Sequence, residues 1–187
     1  MALLKIARMG HPVLLARAEP VADPTTAVMR RLVSDMIETM DDAKGVGLAA
    51  PQIYQSLRLL VWRYPKENPA VVLFNPEIAS YGNEEPFFEA CLSIPGLKGE
   101  VHRPTRVSFT GLDASGAPVS GVTDDKFVAR ILQHENDHLN GVLYPTIMRD
   151  LSRFAYIDEY EEYLKLSPPA DSSHVDGQSQ PSAEPRT

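Results

Sequence analysis

Between Asp23 and Gly45, apolar residues recur at Met29, Leu32, Val33, Met36, Ile37 and Met40, the three-and-four spacing of one helical face. The pattern predicts an amphipathic helix with Asp23 as N-cap, Pro24 at the first helical position and an end before Gly45. Its methionines read as core packing, to which a flexible thioether is well suited, rather than as ligands. From about Arg58 to Val122 the period shortens. Leu59-Leu60-Val61-Trp62, Val71-Val72-Leu73-Phe74 and Val107-Ser108-Phe109-Thr110 are strand-like runs divided by Pro and Gly, so the middle of the chain reads as short strands.

Thr123, with Asp124 and Asp125 in the first turn, then starts a second helix through Phe127, Val128, Ile131 and Leu132, with a stop near Asn140-Gly141. A weaker helical pattern at Phe154, Ile157, Tyr160, Tyr163 and Leu164 ends at Pro168-Pro169. Residues 167–187 hold four Pro and five Ser with almost no large apolar side chain, too little to offset the entropy of ordering, and are expected to be a disordered tail. The resulting expectation is one α+β domain over residues 1–166.

Composition narrows the function classes. The chain has 187 residues, 43% of them hydrophobic and 23% charged, as for a soluble globular domain. Its net charge is -7, and its longest Lys/Arg cluster is the pair Arg30-Arg31, so a grip on nucleic-acid phosphates is not expected. One cysteine, Cys91, rules out an intramolecular disulfide and leaves a thiol that is buried, reactive or metal-bound. Lys5 and Arg8 interrupt the apolar opening, and no apolar run approaches the ~20 residues of a bilayer span, so a cytoplasmic protein without membrane contact or removable leader is expected.

The second helix carries His134-Glu135-Asn136-Asp137-His138, an H-E-x-x-H pattern. Residues i and i+4 share a helical face, so both imidazoles can reach one divalent ion while Glu135 lies beside a water bound there. The third ligand decides the kind of metalloenzyme. A metzincin would need a histidine where Tyr144 stands, which closes that route. A thermolysin-like protease would draw on Glu159 or Glu162, and Cys91 offers a thiolate suited to borderline and soft divalent metals. A catalytically silent metal-binding or peptide-binding module would need neither a base such as Glu135 nor a donor such as Gln52.

Glu89-Ala90-Cys91-Leu92-Ser93-Ile94-Pro95-Gly96, Gly45-Val46-Gly47-Leu48-Ala49-Ala50-Pro51-Gln52 and Gln133-His134-Glu135-Asn136-Asp137-His138 together resemble the three signature motifs of peptide deformylase, in that family's order. The resemblance spans roughly residues 5 to 150. It implies an enzyme that removes the N-formyl group from the N-terminal formylmethionine of nascent polypeptides and releases formate. The implied fold packs the H-E-x-x-H helix among short, mostly antiparallel strands, between an N-terminal and a C-terminal helix.

Carried over by motif, Cys91, His134 and His138 hold one divalent metal, Fe2+ in many bacteria, with Zn2+, Ni2+ or Co2+ able to substitute. Such a cation on one thiolate and two neutral imidazoles keeps a net charge of about +1 and lowers the pKa of a water in its fourth position. Glu135 takes the water's proton and delivers it to the leaving amine. The Gln52 amide and the Leu92 N–H are donors to the developing oxyanion.

Val46, Gly47 and Ala90 lie along the expected peptide path, where Gly47 lets backbone come close, and Phe127 and Ile131 join Val46 in a pocket for the methionine side chain. Arg103 and Asp137 are expected to form a buried pair that fixes the helix against the sheet.

Three features depart from the family pattern. Ala90 stands where Gly is usual. Arg130 lies one turn before His134, where its stem is expected to pack on the pocket while its charged end reaches solvent. The last helix carries Asp158, Glu159, Glu161 and Glu162, so ribosome docking through it is not expected, although nascent substrates imply transient ribosome proximity.

Overall fold

The computed structural model describes residues 2–162, so Tyr163, Leu164, the Pro168-Pro169 stop and the expected tail lie outside the described residues. Among the described residues, three α-helices, α1 (Ala27–Asp42), α2 (Lys126–Leu139) and α3 (Ile157–Glu162), accompany six strands: β1 (Gly47–Ala49), β2 (Leu59–Trp62), β3 (Val71–Cys91), β4 (Ile94–Leu112), β5 (Pro118–Thr123) and β6 (Phe154–Tyr156). The strands form one sheet in the order β1-β2-β3-β4-β5, with β6 also on β4, and every pairing between them is antiparallel. The α+β class and the antiparallel sheet agree with the sequence reading.

The uninterrupted apolar run of β2 has a direct cause: both of its faces are covered. Leu59 and Val61 pack with Met36, Met40 and Val33 of α1, whereas Leu60 and Trp62 pack with Ala129, Ile131 and Leu132 of α2. A third cluster, built on Leu14, Cys91, Val101, Leu143 and Tyr144, lies under the β3–β4 turn.

Three expectations are corrected. Helix α1 begins at Ala27 with Thr26 as N-cap, its hydroxyl accepting from the Met29 N–H at 3.2 Å. Asp23 instead accepts from the Thr25 N–H and hydroxyl at 2.8 and 2.7 Å, a local turn that competes with helix entry. Helix α2 is capped by Asp125, which accepts from Phe127 and Val128, while Thr123 is the last residue of β5. Phe154, expected in a helix, lies in β6, where Leu97, Lys98 and Gly99 pair with Tyr156, Ala155 and Phe154.

The middle strands are also longer than expected. β3 and β4 run for 21 and 19 residues with register shifts after Phe74, Tyr81 and Ala90. Positive φ at Asn75 (49°) and Gly82 (92°) accompanies the first two shifts. Such bulges break the period-two signal without ending the ladder. They let one end of the hairpin lie in the main sheet while the other carries Glu89 and Cys91 across to α2.

Candidate active site

Cys91 ends β3, and His134 and His138 are one turn apart on α2. The Cys91 Sγ is 3.3 Å from the His138 Nε2, and one ligand atom from each of Cys91, His134 and His138 lies within 4.8 Å of the other two. Metal–sulfur and metal–nitrogen bonds of about 2.0–2.3 Å require ligand atoms grouped at this scale. A thiolate with two imidazoles therefore fits a divalent transition metal. Glu159 and Glu162, the alternative third ligands, are exposed on α3.

A cavity of about 530 Å³ opens onto Cys91, His134 and Glu135, while His138 lies behind them at 1% exposure. Gln52, in a 3-10 helix over Ala50–Ile53, and Leu92, in the turn after β3, both line it. Gln52 is 1% exposed, and its orientation is set at both ends of the amide. Its Oε1 accepts from the Ala49 N–H at 2.8 Å, which aims Nε2 at Cys91 Sγ (3.5 Å) and Ser93 Oγ (3.3 Å). Leu92 occupies the two-residue turn between Cys91 and Ile94.

All five expected peptide contacts, Val46, Gly47, Ala90, Phe127 and Ile131, border the same cavity. Ile131 does so while sealed into the core at 5% exposure, and Phe127 carries an aromatic rim with Tyr64 and Phe87 at centroid separations of 4.6 and 6.0 Å. Gly47 has a nearer constraint than backbone approach: a Cβ there would lie 2.4 Å from the Glu135 Oε1. The glycine makes room for the carboxylate.

Two buried carboxylates flank the histidines. Glu135 is 4% exposed, its Oε2 has no hydrogen-bond partner, and burial pushes its pKa up to about 7. Glu89 is 5% exposed. It accepts from Arg103 Nε (2.7 Å) and Nη2 (2.9 Å) and from Arg130 Nη1 (2.8 Å), and bonds the His134 Nδ1 at 2.9 Å. Burial alone would raise the Glu89 pKa, but the bonds from His134 and Arg103 outweigh it and hold the group well below the carboxylate range. The His134 Nδ1 bond turns Nε2 toward the ligand cluster.

Burial lowers His138 well below its ordinary value, and neighbouring His134 adds to the effect. For His134, burial acts in the same direction, but bonds to Cys91 and Glu89 prevail and hold its pKa well above the ordinary value.

The expected Arg103–Asp137 pair is present at 2.8 Å, as part of a larger network. Arg130 corrects the sequence reading. Its guanidinium turns inward at 9% exposure, because Glu89 and the carbonyls of Val101 (3.0 Å) and Glu85 (2.8 Å) supply acceptors that solvent would otherwise provide. Glu89 was not singled out from the sequence, yet strand alternation places it two residues before Cys91 on the same face.

Among the described residues no helix is long and apolar enough to cross a membrane. The sequence pattern of the polypeptide deformylase family matches residues 3–154. A Bordetella pertussis protein named Peptide deformylase 1 is 43% identical over 176 residues, covering 89% of this chain and 98% of the relative. A peptide deformylase of Legionella pneumophila superposes with a TM-score of 0.77 at 36% identity, covering 89% of this chain and all of that one. A Met-Ala-Ser-bound class I type b peptide deformylase of Acinetobacter baumannii superposes with a TM-score of 0.74 at 37% identity, covering 79% and 99% of the two chains.

Proposed function

This chain belongs to the polypeptide deformylase family, an enzyme family that hydrolyses the formyl group from N-formylmethionyl nascent peptides, and from that membership we propose how its own residues perform the reaction. The carrying observation is the convergence of Cys91, His134 and His138 beside a buried carboxylate on Glu135 whose Oε2 has no hydrogen-bond partner. When bound by the three ligands, a divalent cation supplies Lewis acidity, lowering the pKa of water and polarising the formyl oxygen.

The substrate lies as an extended segment between Val46-Gly47 and Ala90, with main-chain bonds tolerating varied sequences and the methionine side chain directed at Phe127, Ile131 and Val46. Met-Ala-Ser bound to the Acinetobacter relative supports a peptide of this kind in the groove. Glu135 takes a proton from the attacking water as its oxygen bonds to the formyl carbon. As the carbon–nitrogen bond breaks, the same carboxyl group delivers that proton to the amine, leaving formate and a free N-terminus. Negative charge on the formyl oxygen is met by the Gln52 Nε2 and the Leu92 N–H, the amide being held ready by its bond to Ala49.

The thiolate and imidazole set accepts several metals, and Fe2+ is the proposed cellular one, with Zn2+, Ni2+ or Co2+ substituting. Since the substrates are nascent chains, the reaction is placed in the cytoplasm, in transient proximity to ribosomes and without nucleic-acid binding. The test is formate release from formyl-Met-Ala-Ser by anaerobically purified protein, with metal analysis, beside Cys91→Ser and Glu135→Gln. The parent should release formate, Cys91→Ser should lose metal, and Glu135→Gln should keep metal without activity. A metal-loaded parent that releases no formate overturns the proposal.

A further inference from the structure

Arg130 is not one of the three proposed metal ligands, yet its side chain is bonded to the residue that orients one of them. Its Nη1 reaches Glu89 Oε1 at 2.8 Å, while the other oxygen of that carboxylate holds His134 Nδ1 at 2.9 Å. Arg130 and His134 are one turn apart on α2 and grip one carboxylate from β3.

Arg103 also binds both Glu89 oxygens, but it comes from β4 and so ties the carboxylate to its own sheet neighbour. Arg103 reaches α2 indirectly, through its 2.8 Å bond to Asp137, whereas Arg130 and His134 bond the carboxylate from the helix that carries two of the ligands. Arg130 further donates to the Val101 carbonyl in β4 and the Glu85 carbonyl in β3, and its guanidinium lies 5.2 Å above the Phe87 ring. Burying a guanidinium is costly unless its fork of donors is used, and here acceptors on two strands use it.

We infer that Arg130 is a positioning residue for the metal centre: through Glu89 it fixes the orientation of the His134 imidazole and the spacing of α2 from the strand bearing Cys91. The inference rests on the reading of Cys91, His134 and His138 as the metal ligands. Without Arg130, Glu89 Oε1 would keep only its bond from Arg103 Nε, and the acceptor of the His134 ring would lose its direct arginine tie to α2. Outer partners of ligating histidines typically contribute about 10- to 100-fold in metal affinity or activity.

The experiment uses the full-length Co2+-loaded protein and follows its visible spectrum and the rate of Co2+ release to a chelator. Arg130→Met should release the ion about 10- to 100-fold faster, with altered cobalt d–d bands. Arg130→Lys, able to restore a single donor, should fall between that variant and the parent. Arg153→Met is the control, because it removes another buried arginine, paired with Glu100 at 3.2 Å, without touching Glu89; it should match the parent in both readouts.

Parent-like release and spectrum for Arg130→Met overturn the inference. So does equal acceleration by Arg153→Met, which would mark general loosening of the fold. If Arg130→Met does not fold, Arg130→Lys is judged by the same criterion. Formate release is measured in parallel: a parent that holds Co2+ but releases no formate overturns the deformylation account, while the cobalt readouts still decide Arg130.

Discussion

Glu89 and Glu135 are the same chemical group, almost equally buried, one bonded to the histidine-bearing helix from β3 and the other carried on that helix, yet their surroundings drive them in opposite directions. Glu89 is surrounded by donors from Arg103, Arg130 and His134 and stays ionised far into acid. Glu135 has an oxygen without any partner and a pKa pushed up to about 7 by burial. Burial therefore does not assign a role; the count of donors does. A saturated carboxylate is a fixed acceptor that orients a ligand, and an unsaturated one near neutrality can both take and return a proton.

The sharpest way to break this contrast is to remove the titrating member. Glu135→Gln keeps the volume and deletes the base, so kcat/KM for a formylated peptide should fall about 100- to 10,000-fold, equivalent to about 3–5 kcal/mol of transition-state stabilisation. Metal content and the unfolding midpoint should stay close to the parent. A variant with more than a tenth of parental activity would place the proton transfer elsewhere.

Glu89→Gln tests the other member and should act on the fold first. It leaves two buried guanidinium groups facing a neutral amide, a change that typically costs about 3–5 kcal/mol, readable as a lower urea midpoint. Metal should also dissociate faster, because the His134 Nδ1 loses a charged acceptor. Unchanged stability would mean that Arg103 and Arg130 find other acceptors.

Gly47→Ala perturbs the proposed base without touching its chemistry. The new methyl group would sit 2.4 Å from Glu135 Oε1, and relief requires the carboxylate to swing away. A displacement near 1 Å at a reacting group costs about 100-fold in rate, so kcat should drop to that extent while metal content is retained. Parental kcat would show that Glu135 accommodates the methyl without leaving its working position.

Which parts of this contrast were legible in the sequence follows from how local their causes are. The H-E-x-x-H spacing, the apolar stripe of α2 and the run Leu59–Trp62 are set by neighbours in the chain, and they stand where the pattern put them. Glu89 was within reach, since it alternates with Cys91 on one strand face. Arg130 was not, because its acceptors belong to Glu85, Glu89 and Val101, on two strands 29 to 45 positions earlier. A lone arginine on an apolar helix face reads as a stem with a solvated tip until the fold brings carbonyls to it. The long hairpin was hidden for a related reason: the shifts after Phe74 and Tyr81 interrupt alternation where the chain bends toward the site.

The smallest expected effects are those of pH, and their signs separate the two carboxylates once more. Glu89 has a folded-state pKa depressed below its ordinary value of 4.5, so its stabilising contribution is complete above that value and is lost as pH falls from there toward the folded value. The stability difference between the parent and Glu89→Gln should therefore be constant at neutral pH and shrink below 4.5. Glu135 is shifted upward, to about 7, and in the proposed reaction its working form is the carboxylate. Activity should fall as pH drops through a limb at or below that value, because a bound cation nearby favours the ionised form and can only move the limb toward acid. A pH profile of kcat/KM on the metal-loaded protein, set beside urea midpoints over the same range, checks both signs at once. An acid limb well above 7 would mean that the group titrating in the reaction is not Glu135.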